Sequence, residues 1–234
     1  MPTTTVFETG SSITYVAPPP IKTYDDLVGA IGDWLNRADL QGAIPTFIAL
    51  TESEINADDR FRCLPSMVRS TAPFGPATTP LGYFLPLPVD YISMSNMRVL
   101  EAPPPGVVEL CTTRQLDEYR SVYTVPGVPK FYTVFGAEME LLPVPDKTYT
   151  MQMIYYAMLP PLTNDNQSNW LLQRWPHVYF YGSLLKAAPY LHNDERIPTW
   201  AALYNNAAES IKVSNDRGQF SGAPMKMRTV RRYR

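Results

Sequence analysis

The sequence predicts an α+β fold, in which two N-terminal and two C-terminal helices form a four-helix bundle interrupted by a mostly antiparallel β domain. Hydrophobic residues recur at helical spacing over residues 23–61 and again over 162–218, whereas over 62–161 they alternate in steps of two. With 234 residues, 45% of them hydrophobic, the chain can bury such a core. Residues 1–22 and 219–234 lack either pattern and are predicted to be extended arms.

The first two helices follow the N-terminal arm, which ends in three consecutive prolines. Thr23 has the side chain of a helix N-cap and predicts a first helix that ends near Arg37. A second helix is predicted from Pro45, a residue favoured in a first helical turn, to about Arg60. Their inward stripes are predicted to be Tyr24, Leu27, Val28, Ile31 and Leu35 in the first helix, and Ile44, Ile48, Thr51 and Ile55 in the second.

The middle of the chain predicts a β meander with a short helix, Arg114–Ser121, before it. The strands Phe131–Phe135 and Glu138–Leu142 flank Gly136-Ala137, and glycine at the first central position suits a type II′ hairpin turn. A third strand, Thr148–Ala157, is predicted to continue the meander. One face of that strand is predicted to carry Tyr149, Met151, Met153 and Tyr155.

Helical spacing returns after Pro160-Pro161. Ser168 is predicted to cap a short turn, Trp170–Arg174, and Pro176 to begin the next helix. Asn193 is predicted to cap a last long helix that ends near Gly218. The inner faces are predicted to be Val178, Tyr181, Leu185 and Ala188 in the first of these, and Ile197, Trp200, Ala201, Tyr204, Ala208 and Ile211 in the last. Because Tyr179–Tyr181 are three consecutive aromatics, at least one should face away from the local core, toward solvent or another subunit.

Charge is distributed very unevenly along the chain. Up to Asp216 there are 14 basic and 22 acidic residues, whereas the remaining residues contain no acid. The six basic residues of that end are Arg217, Lys226, Arg228, Arg231, Arg232 and Arg234. This basic end could be a solubilising segment, a nucleic-acid ligand or a peptide that folds on an acidic protein surface. Interleaved Met225, Met227 and Tyr233, together with the acidic body, favour protein docking.

The sequence contains no pattern typical of an enzyme. Its two histidines, His177 and His192, lie near opposite ends of one predicted helix, and neither belongs to a metal-spaced Cys/His cluster. Cys63 and Cys111 lie in predicted strands, and reduced thiols are favoured over a disulfide. No phosphate-binding glycine motif, nucleophile turn, membrane-spanning run or secretory signal is present. We therefore predict no catalytic residue, no cofactor and no metal.

Acidic clusters also favour structural roles. Asp58-Asp59 and Asp194-Glu195 are adjacent pairs, and consecutive helical residues point about 100° apart. Neither pair therefore converges on a substrate, and solvent-exposed faces are predicted. Asn164–Asn166 lacks the glycine and the distal glutamate of a calcium loop and is predicted to be a simple loop.

Several stretches, taken in order, resemble the adaptor (head-to-tail connector) proteins of tailed bacteriophages. The resemblance covers residues 23 to about 228, and no single motif in it is diagnostic. The stretches are Asp33–Leu40, Ile44–Leu50, Gly127–Tyr132, Leu141–Asp146, Asn169–Leu172, Ala187–Leu191 and Asp194–Arg196.

This resemblance implies a structural virion protein of the neck, assembled in the host cytoplasm. Twelve copies would form a ring between the portal and the tail or nozzle proteins, around a channel that genomic DNA crosses without sequence-specific binding. The C-terminal segment would bind the portal. The residues in that place are Met225, Met227, Arg228, Arg231, Arg232, Tyr233 and Arg234. The alternative is a nucleic-acid-binding module that acts through the same basic tail.

Overall fold

Helices dominate both ends of the chain and strands its middle, so the fold is α+β as the sequence predicts. A computed structural model describes residues 5–8, 11–14, 20–75, 84–101, 106–191 and 195–220. The helices are α1 (Tyr24–Leu35), α2 (Ile44–Ala57), α3 (Thr113–Val122), α4 (Trp170–Arg174), α5 (Pro176–Lys186) and α6 (Ile197–Phe220). The strands are β1 (Thr5–Glu8), β2 (Ser11–Thr14), β3 (Met67–Phe74), β4 (Phe84–Pro86), β5 (Tyr91–Val99), β6 (Gly106–Val107), β7 (Glu109–Leu110), β8 (Phe131–Phe135), β9 (Glu138–Leu142) and β10 (Tyr149–Ala157).

The chain divides into two compact units. We call residues 1–55 with 160–208 the helical unit, and residues 56–159 with 209–234 the β unit. All four tryptophans belong to the helical unit, so tryptophan fluorescence reports on that unit alone.

Thr23 caps α1 as predicted. Its hydroxyl accepts a hydrogen bond from the Asp26 amide, and the Asp26 carboxylate accepts one from the Thr23 amide at 3.0 Å, which completes a capping box. The hydrogen bond from the Thr23 side chain is the largest of several effects that hold the pKa of Asp26 below its usual value. The helix ends when Asn36 adopts a left-handed conformation, with φ of 49°.

The second helix is shorter than predicted, because α2 ends at Ala57 rather than near Arg60. Asp58 leaves the helical conformation, and its carboxylate accepts a hydrogen bond from the Arg60 amide at 2.9 Å. That contact begins a separate 3₁₀ turn at Asp59–Phe61. An aspartate that can cap a new turn competes with the continuation of a helix.

The apolar stripes of α1, α2 and α6 are largely as predicted, whereas the stripe of α5 is offset. Tyr181 and Leu185 are only partly buried, and the buried face of α5 instead includes Tyr179, Gly182 and Leu184. Gly182 explains why the buried face of α5 is offset. A Cβ atom placed on it would lie 2.5 Å from the Cγ2 atom of Thr51, so α5 approaches α2 most closely at a residue that a search for apolar side chains ignores.

The β unit contains two four-stranded sheets, with strand orders β3-β10-β5-β6 and β4-β9-β8-β7. All their pairs are antiparallel except β7 with β8. The predicted hairpin of β8 and β9 is confirmed, and Gly136 in its turn has φ of +58°. The predicted meander is wrong in one respect, since β10 pairs with β3 and β5 rather than with β9. Alternation identifies a strand and its buried face but does not specify its partner.

One face of β10 forms the centre of the β core. Tyr149, Met151, Met153 and Tyr155 are buried, as the alternation predicts. They pack in a cluster with residues of both sheets that includes Phe74, Val99, Tyr132, Met139 and Leu141.

Several other local predictions were wrong. Asn169, not Ser168, caps α4, and its side-chain oxygen accepts a hydrogen bond from the Leu172 amide at 2.9 Å. Neither cysteine lies in a strand: Cys63 precedes a 3₁₀ turn and Cys111 follows β7, and both are free thiols.

The ends of the chain also differ from the prediction. The last helix continues two residues beyond Gly218, to Phe220. Within the N-terminal arm, β1 and β2 pair as an antiparallel hairpin, which the sequence pattern did not indicate. The predicted cap Asn193 and residues 221–234 lie outside the described residues.

A buried carboxylate connects distant segments of the helical unit through hydrogen bonds. Glu52 of α2 is 6% exposed, and its Oε1 atom accepts hydrogen bonds from the Leu162 amide at 2.8 Å and from the Tyr179 hydroxyl at 3.0 Å. The Tyr179 hydroxyl in turn accepts one from the Asn169 side-chain amide at 2.6 Å. We call Glu52, Tyr179 and Asn169 the buried polar network.

Burial raises the pKa of Glu52 above its ordinary value of 4.5, although the bonds from Leu162 and Tyr179 oppose this rise. The folded state therefore binds more protons than the unfolded state once the pH exceeds that value. The stability that Glu52 contributes is complete at lower pH and is lost as the pH rises through its folded pKa.

We predict that Glu52→Gln makes the helical unit at least as stable as the wild type at pH 7, because glutamine keeps the acceptor oxygen and removes the buried charge. The difference between the two proteins should shrink toward pH 4. Glu52→Ala should instead lower the free energy of unfolding by about 2–4 kcal/mol, since two buried donors lose their acceptor and a cavity forms. Urea unfolding followed by tryptophan fluorescence measures both effects. Equal losses in the two variants would contradict this account.

Candidate interaction surfaces

The described residues contain no cluster typical of a catalytic or metal site. No group of three or more His, Cys, Asp or Glu side chains among them could hold a metal ion. His177 is exposed, although partial desolvation lowers its pKa, and His192 lies outside the described residues. Among the helices described, none is long and apolar enough to cross a membrane.

Each residue of the first acidic pair, Asp58-Asp59, forms an ion pair with an arginine. Asp58 contacts Arg60 at 2.6 Å, and Asp59 contacts Arg62 at 3.0 Å. Of the second pair, Asp194 lies outside the described residues and Glu195 is exposed.

The loop Asn164–Asn166 is closed by its own hydrogen bonds. The Thr163 amide donates to the Asn166 carbonyl at 3.0 Å, and the Asn166 side chain donates to the Pro161 carbonyl at 2.7 Å. These contacts give the loop a structural role.

Of the three consecutive aromatics of α5, the middle one packs against a neighbouring tryptophan. Tyr179 and Phe180 are buried and Tyr181 is partly buried. The ring of Trp34, half-exposed at the end of α1, covers Phe180 edge-on with 5.0 Å between centroids. Tyr181 is therefore the least buried of the three, and its contact with another subunit stays a prediction.

In the β unit, α3 and β9 border an open groove of about 340 Å³. The rings of Tyr119 and Tyr123 pack on Phe131, with centroid distances of 4.5 and 5.4 Å. The Lys130 ammonium lies 5.4 Å from the centre of the Tyr123 ring. The groove is lined by Arg120, Tyr123, Thr124, Glu140, Leu141, Leu142 and Val144.

Two valines beside this groove are strongly exposed. Val122, the last residue of α3, is 70% exposed, and Val125 is 75% exposed. Apolar side chains, aromatic rings and arginine are enriched in protein contact surfaces, and all three occur here. We call Val122, Val125 and the groove residues the α3 surface.

Glu140 is the unusual residue of the α3 surface, because it is a carboxylate 7% exposed within β9. The guanidinium of Arg120, half-exposed on α3, is paired with it. Burial raises the pKa of Glu140, and the Arg120 charge opposes that rise.

Sequence reasoning missed this pair. Glu140 lies between Met139 and Leu141 in an otherwise apolar part of the strand, and a charge in that setting requires a partner. Arg120 could be assigned only once the position of α3 against β8 and β9 was known.

The predicted docking residues cannot be placed on either unit. Met225, Met227, Arg228, Arg231, Arg232, Tyr233 and Arg234 all lie outside the described residues.

A comparison with known protein families identifies a match. The model of a family described as SU10 adaptor protein matches residues 22–228. No curated protein matches the chain. The family match therefore includes both units but not β1, β2 or the last six residues.

We predict that Arg120→Gln lowers the free energy of unfolding of the β unit at pH 7 by about 1–2 kcal/mol, because it leaves a buried carboxylate unpaired. The loss is smaller than for a fully buried ion pair, because Arg120 is half-exposed and water screens its charge. The loss should decrease below about pH 4, where Glu140 is protonated in both states.

Far-UV circular dichroism suits this measurement, since the β unit has no tryptophan. Adding Glu140→Gln to Arg120→Gln should recover most of the loss. A double variant no more stable than Arg120→Gln would show that the pair does not behave as described.

Proposed function

The chain belongs to the SU10 adaptor protein family, a family of structural, non-enzymatic phage adaptors, and we propose that it forms a dodecameric ring joining the portal to the tail. An adaptor of this family is a virion protein of the neck and associates with portal and tail components. In our proposal the ring is assembled in the host cytoplasm and surrounds the channel through which DNA leaves the capsid.

The proposal assigns a role to each segment. A helical domain (23–61 with 162–218) and a β domain (62–161) form the body of each subunit. Residues 1–22 form an N-terminal arm, and residues 219–234 form the basic tail that docks on the portal.

The observation that carries portal docking is the charge asymmetry. The tail presents Arg228, Arg231, Arg232 and Arg234 without a nearby acid, together with Tyr233 and the methionines Met225 and Met227. Arginine binds carboxylates through two parallel hydrogen bonds, so the tail suits an acidic groove with apolar pockets. Repetition over the ring would make individually modest contacts collectively strong.

The acidic body supports a role as a DNA conduit. Chain positions up to Asp216 carry a net charge of about -8, counting acidic against basic residues. A channel lined by such subunits repels phosphate rather than binding it, so DNA can pass without being held.

We predict that deleting residues 222–234 abolishes portal association and leaves the unfolding of both units unchanged. A finer test replaces Arg228, Arg231, Arg232 and Arg234 by glutamine in one variant and by lysine in another. The glutamine variant should bind at least about tenfold more weakly, and the lysine variant should retain intermediate binding. Co-sedimentation with purified portal measures both. Normal docking by the truncated chain would overturn the assignment of the tail.

The same tail supports the alternative, a nucleic-acid-binding module. We predict that the isolated chain does not bind duplex DNA measurably at about 50 mM salt, because the acidic body opposes the basic end. Fluorescence anisotropy with a labelled duplex tests this, and the chain lacking residues 222–234 is the control. Tight binding that falls steeply with salt and disappears on truncation would favour the alternative.

A further inference from the structure

The outer edge of β3 is the longest open strand edge that the structure describes. The edge strands of the two larger sheets are β3 with 8 residues, β4 with 3, and β6 and β7 with 2 each. Among the described residues, β3 pairs only with β10. An open edge of this length is a template for a further strand.

Hydrogen-bond alternation identifies which groups of β3 face outward. The carbonyl of Thr150 in β10 accepts a hydrogen bond from the Leu100 amide at 3.0 Å, so the backbone groups of Thr150 face β5. Its cross-strand neighbour on the other side is Pro73. The backbone of Pro73 therefore faces away from β10, where a missing N–H group costs no bond within the sheet.

Because the alternation has a period of two, Thr71, Arg69 and Met67 face the same way as Pro73. Arg69 and Thr71 each present an N–H donor and a carbonyl acceptor at the open edge, whereas the Met67 N–H already donates to the Leu64 carbonyl. Pro73 limits the template to the part of β3 before it, which suits a strand of about four residues.

The chain contains strands of that length in the N-terminal hairpin. β1 and β2 have four residues each and, in the described part of the chain, pair only with each other. A lone two-stranded hairpin is at best marginally stable in water and requires a further strand or a packing partner.

We propose that the N-terminal hairpin of one copy adds to the outer edge of β3 in a neighbouring copy of this chain. The charges agree, since Arg69 is exposed on the β3 edge and Glu8 ends β1. The two surfaces differ, so the contact is head-to-tail and repeats from copy to copy, as closure of a ring requires. The hairpin lies outside the family match and β3 lies within it, and the contact does not depend on where the basic tail binds.

Cross-linking tests the contact and its partner. In a Cys111→Ser background, one protein carries Ser12→Cys and a second carries Thr71→Cys. A short bis-maleimide should join the two in a mixture, both in concentrated full-length protein and in assembled necks, and give a covalent dimer on a denaturing gel. Each protein alone is the control. A mixture without dimer under both conditions would overturn the proposal, as would a doubly substituted chain that cross-links only within itself.

A matched pair of substitutions tests the backbone contact itself. In the protein that carries Thr71→Cys, Arg69→Pro removes an outward N–H and should give a dimer yield about fivefold lower than Arg69→Val, the effect of one lost hydrogen bond. Arg69→Val loses the same charge but keeps the N–H, so it is the matched control. Circular dichroism verifies that both variants fold. Equal yields from the two folded variants would show that β3 does not accept a strand at this edge.

Discussion

The fold of the helical unit depends on one buried carboxylate oxygen. Oε1 of Glu52, which precedes the β insertion in the sequence, accepts hydrogen bonds from Leu162 and Tyr179, which both follow it. Asn169 extends the connection, because its side chain caps α4 and donates to the Tyr179 hydroxyl and to the Pro160 carbonyl. Segments separated by more than 100 residues are thereby held together. Directional bonds of this kind fix a single arrangement of helices that apolar packing alone would leave less defined.

Local features of the fold could be predicted from the sequence, because their causes are local. The capping box of Thr23, the start of α5 at Pro176 and the turn at Gly136 each depend on a few adjacent residues. The buried face of α5 and the partner of β10 depend instead on contacts between distant segments, such as the approach of Gly182 to Thr51. For the same reason the sequence predicted neither the ion pair of the α3 surface nor the buried polar network.

Both acids that are buried among the described residues, Glu52 and Glu140, have structural explanations. A raised carboxylate pKa often marks a catalytic acid, but only where the group faces a site that can hold a substrate. Glu52 is enclosed by neutral donors within the helical unit, and Glu140 is paired with Arg120 beside the exposed valines of the α3 surface. The first organises helices and the second supports a surface, which agrees with the non-enzymatic character of the adaptor family.

The family match includes only part of the proposed contacts between chains, since β3 and residues 225–228 lie within it and the hairpin and residues 229–234 lie outside it. The match covers the residues that build the two units, but it begins after the hairpin and ends before Arg231 and Arg232. Interior residues are constrained by their own chain, whereas in our proposals the hairpin and the end of the tail are constrained by the surfaces to which they bind. A family description based on the body of the subunit therefore gives the class of protein. In our proposals, the identity of each neighbour depends on the hairpin and the tail, whose sequences supply backbone donors, arginines and a single tyrosine for binding.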